Sequence, residues 1–155
     1  MEKIPKNKSV EYGDWWTSPA ESESGNLIMV TGRRDIAKFK DNPKFKTRVE
    51  ATWKYESKNG GMPDVATSQL MDEADAALRE CFRKDPIAVL TGVYTGDGER
   101  NWVFYTLSLN IFCRKFNEAL ASMELLPITL SAEEDPEWLE YQEMKEATEI
   151  KGEDG

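Results

Sequence analysis

The chain has 155 residues, 39% hydrophobic and 32% charged, with two cysteines, no histidine and a formal net charge of −9. That length suits one domain, which buries roughly 70% of the surface its unfolded chain exposes and needs neither disulfide nor metal to hold a core. The acidity argues against non-specific binding to a nucleic-acid backbone, and the missing histidine excludes Ser-His-Asp catalysis, Cys-His pairs and histidine metal ligands.

Residues 1–10 are lysine-rich without an apolar stretch and read as a flexible lead-in. A single α+β domain over 11–146 follows, and 147–155 read as a disordered acidic tail. Within the domain, Trp15-Trp16-Thr17 suggests a short strand and Leu27 to Thr31 a buried one. Gly32 to Pro43 is a charged loop with one helical turn carrying Ile36 and Phe39. Phe45 to Tyr55 alternates cleanly: Phe45, Val49, Ala51, Trp53 and Tyr55 on one face, Lys46, Arg48, Glu50, Thr52 and Lys54 on the other. That is the pattern of a strand in a sheet with one wet face.

Asn59-Gly60-Gly61 is a loop, and Pro63-Asp64 precedes a helix running to about Arg83 with a stripe of Leu70, Ala74, Leu78 and Cys81. Ile87 to Tyr94 is a strand, Thr95-Gly96-Asp97-Gly98 a hairpin turn, and Asn101 to Leu107 the returning strand. Asn110 is placed to cap a helix reaching Met123, with Phe112, Phe116, Ala119, Leu120 and Met123 as its stripe. Leu126 to Leu130 contains Pro127 and reads as an edge strand. Asp135 as N-cap and Pro136 at the first helical position open a last helix anchored by Trp138 and Tyr141, with fraying expected from Glu146. From Phe45 the order is β-α-β-β-α-β. This predicts a ferredoxin-like core in a mainly antiparallel sheet, extended by N-terminal strands and a C-terminal helix, with helices on one face.

Charge is unevenly distributed. Arg33 to Lys58 holds nine basic and four acidic residues, whereas Glu118 to the end holds two basic and twelve acidic. Two readings follow: a binding face with an acidic tail, or two regions that attract each other within one fold. Lys44, Lys46, Arg48 and Lys54 line one strand face, but the alternation sends Phe45, Trp53 and Tyr55 to the other, which argues against a stacking platform for RNA. Cys81 and Cys113 read as small buried hydrophobes of a reducing, cytoplasmic compartment. No apolar run approaches the ~20 residues of a membrane span.

No phosphate-binding glycine motif stands between a strand and a helix. The carboxylate pairs Asp97/Glu99 and Asp135/Glu137 have structural readings as turn, strand end, helix cap and first-turn charge. The same holds for Glu133, Glu134 and Asp135 as a cation site. No catalytic, cofactor-binding or metal-binding residue is assigned. The adjacent Trp15 and Trp16 point to opposite sides of any strand, so one of them is a candidate contact surface.

Taken in order, several local patterns resemble the bacterial domain-of-unknown-function family number 695. They are Trp15-Trp16, Gly60-Gly61-Met62-Pro63, the Gly92 to Gly98 hairpin leading to Phe104-Tyr105, and Asp135-Pro136-Glu137-Trp138 followed by Tyr141. The resemblance covers about residues 12–145. It implies no established activity. Members are sometimes fused to a domain similar to the protein inhibitor of ribonuclease E, so the resemblance implies a regulatory or binding role. The polar run Glu143 to Glu149 departs from the short apolar-Pro finish that the resemblance leads one to expect.

The leading expectation is a non-catalytic domain engaging a protein partner with a basic surface through Glu137, Trp138, Glu140 and Tyr141. A second is a small-molecule binder or enzyme with a pocket between sheet and helices, for which Arg48, Tyr94, Tyr105 and Asp97 are the first suspects. A third is RNA binding by the basic strand.

Overall fold

The computed structural model describes residues 14–57, 60–123 and 125–149. The expected lead-in over 1–10, part of the Asn59-Gly60-Gly61 loop and residues 150–155 of the expected tail lie outside them. Six strands form one antiparallel sheet: β1 Trp15–Glu21, β2 Leu27–Arg33, β3 Thr47–Lys54, β4 Ala88–Gly96, β5 Glu99–Thr106 and β6 Ile128–Glu134. Among the described residues four helices accompany it: α1 Ala37–Lys40, α2 Val65–Lys84, α3 Leu109–Ala119 and α4 Leu139–Thr148. The strand order is β1-β2-β4-β5-β3-β6. As a six-strand order this is not the four-strand ferredoxin-like one. The N-terminal hairpin β1–β2 is responsible, because β2 pairs with the side of β4 that a four-strand sheet would leave open. β6 pairs with β3 alone and is an edge, as Pro127 suggests.

The alternation of β3 holds for Val49, Ala51, Trp53 and Tyr55 but not for Phe45, which precedes the strand and is buried on the opposite face. Val49, Ala51 and Trp53 are buried together with Phe104 and Trp102 of β5, beneath α2 and α3. The buried stripe of α2 is Met71, Ala74, Leu78 and Phe82, rotated from the expected one. Leu70 is 42% exposed and Cys81 only half-buried. Phe82 explains the rotation: it stacks on Phe112 at 5.2 Å and meets Phe104 at 5.4 Å, and these rings bury more area than a cysteine in its place. Ser108, not Asn110, caps α3, its hydroxyl accepting from the Ile111 N–H at 3.2 Å. Asp64, which precedes α2 as expected, caps it by accepting from the Thr67 N–H at 2.8 Å.

The expectation of one partly wet face needs correcting. A second core lies on the opposite face, built from Trp16, Val30, Val89, Val103 and Tyr105 of the sheet with Phe45, Trp138, Tyr141 and Met144 above them. α4 packs there over β1 and β2. Gly32 stands opposite Trp16 across the β1–β2 ladder, and a Cβ on it would lie 2.3 Å from the indole. The bare backbone is what lets that ring lie across the strand.

The hairpin between β4 and β5 has the expected turn: Asp97 and Gly98 have φ of 55° and 86°, the double positive φ of a type I′ loop. The start of α4 differs from expectation. Asp135 to Trp138 form a turn closed by the Trp138 N–H on the Asp135 carbonyl, and Trp138 itself is left-handed, φ 58°. The helix begins only at Leu139. Asp135 still caps it, at longer range, its carboxylate accepting from the Leu139 and Glu140 N–H groups at 2.9 and 3.0 Å.

Candidate functional site

Three places in the fold collect groups able to recognise something. The first is the acidic C-terminal segment. Trp138 and Tyr141, expected at a contact surface, are instead 1% and 4% exposed. Trp138 stacks on Tyr105 at 4.0 Å, and its indole N–H donates to the Phe45 carbonyl at 2.7 Å. The Tyr141 hydroxyl donates to the Arg33 carbonyl at 2.6 Å. An indole or phenol that is buried takes its polar tip to a partner, and these two pin α4 to the sheet. What faces outward is carboxylate: Glu133, Glu134, Glu137, Glu140, Glu143 and Glu146 are all exposed, with Leu139 among them at 56%. Thr148 and Glu149, placed by sequence in the tail, are docked. The Thr148 hydroxyl accepts from the Trp16 indole at 3.0 Å, and Glu149 takes Arg34 at 2.7 Å and Lys145 at 3.0 Å. Hydrogen bonds from Lys145 and Arg34 hold the Glu149 carboxyl below its usual range.

The second place is the sheet face beside Trp138. Arg48 of β3 lies opposite Tyr105 of β5 on one side and Glu133 of β6 on the other. Its side chain is only 13% exposed, its Nη1 is 3.7 Å from both Glu50 and Glu133, and its Nε is buried without a hydrogen-bond partner. Burial pushes the Tyr94 hydroxyl up to about 12 against the pull of Arg48. Tyr105 is raised by burial and by its 2.7 Å hydrogen bond to Asp135. Asp135 is pushed up by burial, yet the bonds from Tyr105 and the two helix N–H groups outweigh this and hold it below the ordinary carboxylate range. Three of the four suspected pocket residues, Arg48, Tyr94 and Tyr105, therefore share this face. Asp97 does not. It sits in the distant hairpin turn, where Asn26 and Ser24 donate to it at 2.9 Å each and lower its pKa.

The carboxylate pairs do not converge either. Glu99 accepts from Asn101, Asp135 is turned inward as a cap and Glu137 points to solvent. Among the described residues no cluster of acids or cysteines is arranged to hold a metal ion. The basic strand is partly neutralised by the acidic one, since Glu134 accepts from Thr47 and Glu133 faces Arg48. The attraction of basic and acidic regions within one fold is thus realised along the β3–β6 ladder and at Arg34–Glu149. Cys81 and Cys113 are both free thiols, and burial raises the Cys81 pKa.

The third place is a cleft of about 310 Å³ where the C-terminal half of α2 meets β1, β4 and the β2–α1 loop. Its floor is Leu78, Phe82 and Leu90, and its wall is Trp15. Trp15 and Trp16 do part company as adjacent strand residues must: Trp16 is buried in the second core, while Trp15 is half-buried and faces this cleft. The Arg79 guanidinium lies 4.4 Å from the Trp15 ring and that of Arg33 5.6 Å from it. Arg79 is held by Asp75 at 2.6 Å, a carboxylate that also accepts from the Trp102 indole at 2.9 Å. Lys38 and Arg83 complete a lining of four cations, of which Arg33, Arg79 and Arg83 are paired with Asp35, Asp75 and Glu80. Sequence reasoning missed these cations because helical arginines normally belong to a solvated face. The signal available was the i, i+4 spacing of Arg79 and Arg83, which puts both on one side of α2.

Among the described residues no helix is long and apolar enough to cross a membrane. No curated protein and no solved structure matches the chain. One family does, over residues 14–144, a span that opens just before Trp15-Trp16 and closes at Met144 in the α4 seam. The tryptophan pair, the type I′ hairpin and the Asp135 to Tyr141 turn that define the architecture all fall inside it, and the chain belongs to the family of unknown function DUF695.

Proposed function

We propose that this chain is a cytoplasmic, non-catalytic binding or regulatory domain that engages a protein partner with a basic surface. One observation carries the reading. Trp138 and Tyr141 fix α4 to the sheet, so that Glu137, Glu140 and Glu143 are displayed on a rigid element. A preorganised row of carboxylates loses little conformational entropy when a complementary surface arrives, and it steers encounter by charge. In this reading the two aromatic residues act as struts and the glutamates make the contact. The test is a pull-down from native lysate at low and moderate salt, comparing wild type with E137K/E140K/E143K. A stoichiometric protein retained by wild type and lost from the folded variant is expected. An identical retained set for both would sink the proposal.

A second reading, a small-molecule binder with a pocket between sheet and helices, is favoured by the Trp15 cleft, which lies between β4 and α2. RNA binding by β3 has less in its favour, because Arg48 is drawn between Glu50 and Glu133. As to fold, the ferredoxin-like description is kept as a proposal for β3 to β6 alone. It is supported by their succession β4-β5-β3-β6 once the N-terminal hairpin is set aside.

A further inference from the structure

We infer that the Trp15 cleft is a binding site for a small organic anion, a carboxylate or phosphate carried on a flat apolar body. The inference rests on the second reading above and names its ligand class.

Three features point the same way. The first is the sign of the field. The chain carries a net charge of −9, yet the cleft is lined by Arg33, Lys38, Arg79 and Arg83; Asp35, Asp75 and Glu80 pair with the three arginines, and the balance around the cleft is still positive by Lys38. A concave site with an excess of positive charge and low-dielectric walls concentrates ligands of the opposite sign. The second is the floor. Leu78, Phe82 and Leu90 offer water no hydrogen bonds, so an apolar body displaces water from them without losing polar contacts. At about 310 Å³ the space lies at the lower end of small-molecule sites, which fits a two- or three-ring body or a medium-length acyl chain. The third is preorganisation. Asp75 fixes the Arg79 guanidinium against Trp15, and Asp35 fixes Arg33 at 2.9 Å. Two planar donors are thus set at the mouth before any ligand arrives, and guanidinium forks match carboxylate and phosphate geometry. Lys38, exposed at the rim, supplies longer-range attraction, and Arg83 beside it is held by Glu80 at 2.9 Å.

The probe is the fluorescent aromatic sulfonate 8-anilinonaphthalene-1-sulfonate, with the neutral N-phenyl-1-naphthylamine as its uncharged counterpart, both titrated into the full folded chain. The sulfonate is expected to bind at one site and to raise the melting temperature, as a ligand of the folded state must. Its affinity should fall about tenfold between roughly 0.05 and 0.5 M salt as the rim cations are screened. K38E and R83E, both at exposed positions, should each weaken it at least about threefold, whereas the exposed and distant K54E should leave it unchanged. Displacement by adenosine monophosphate or by octanoate then separates a phosphate source from a carboxylate one.

Equal binding of the neutral dye, or indifference to K38E and R83E, would overturn the anion inference while leaving a pocket. Failure of both dyes to bind would remove the pocket reading with it. Failure of the acidic-helix proposal would touch neither.

Discussion

The two faces of the sheet are built by different means. Beneath α2 and α3 the core is a close array of aliphatic and aromatic side chains: Val49, Ala51, Leu78 and Met71 with a chain of rings from Phe82 through Phe112 and Phe104 to Phe116. Beneath α4 the core is smaller, and four of its large rings also carry a directed bond. Trp16 reaches Thr148, Trp138 reaches Phe45, Tyr105 reaches Asp135 and Tyr141 reaches Arg33. The first face is specified mainly by periodic burial, which is non-directional and tolerant of small shifts, with the Trp102 indole bond to Asp75 as its directed contact. The second is specified by polar tips that have one acceptable partner each, because leaving a buried donor unmade costs about 1–3 kcal/mol. A short helix with few apolar residues can therefore be positioned as firmly as a long one with a full stripe.

The sharpest way to break that contrast is truncation on both sides. Trp138→Ala is expected to cost about 3–5 kcal/mol and Leu78→Ala about 2–5 kcal/mol in urea unfolding. Trp138→Phe separates the faces further. It keeps a ring over Tyr105 but orphans the Phe45 carbonyl, for an expected loss of about 1–3 kcal/mol. A loss below about 0.5 kcal/mol would mean that the indole bond does not specify the second face.

A smaller effect sharpens the comparison through pH. Asp135 has a folded-state pKa below its unfolded value, so its stabilisation is present above the unfolded carboxylate range and is lost as pH falls through the folded value. Tyr105→Phe removes one of the bonds that lower it, and should cost about 1–3 kcal/mol at neutral pH and flatten the acid limb of the stability curve. At the other end, burial raises Tyr94 and Tyr141 to about 12. Their contribution is intact below pH about 10, the unfolded phenol value, and is lost as pH rises through the folded values. Stability curves that are unchanged in Tyr105→Phe below pH 5 would refute the role given to Asp135. The smallest expected change is Glu149→Gln. It removes partly exposed ion pairs to Arg34 and Lys145 and should cost no more than about 1 kcal/mol, with a further decrease of the difference at high salt.

This division also decides what the sequence makes legible. The alternation of β3, the Asp97-Gly98 turn, the position of α2 and the edge character of β6 could be read because each depends on neighbours within a few residues. The second core could not. Trp16, Phe45, Tyr105 and Trp138 lie in four separate stretches, and nothing periodic links them. The delayed start of α4 had the same origin: Asp-Pro is a good local opening for a helix, but Trp138 is left-handed where its ring stacks on Tyr105, a contact that no local signal announces. Strand order was hidden too, since no local signal says which edge the β1–β2 hairpin joins. At the site, the divergence of Trp15 and Trp16 was legible from strand geometry alone. The cations around Trp15 come from β2, α1 and α2, and only the fold assembles them.

Arg34 has one more consequence. Its guanidinium holds Glu149 at 2.7 Å and Asp14 at 3.2 Å, while the Trp16 indole meets Thr148 across 132 positions of chain. Asp14 and Glu149 are thus fastened to a single side chain, and these two distant stretches of chain lie side by side. Loop-closure entropy grows only logarithmically, so closing so long a circuit costs about 0.6 kcal/mol more than closing one half as long. A fold of this kind is suited to circular permutation. A short linker joining the neighbourhood of Asp14 to that of Glu149 preserves the sheet order, and new ends can open at an exposed loop without parting the two faces.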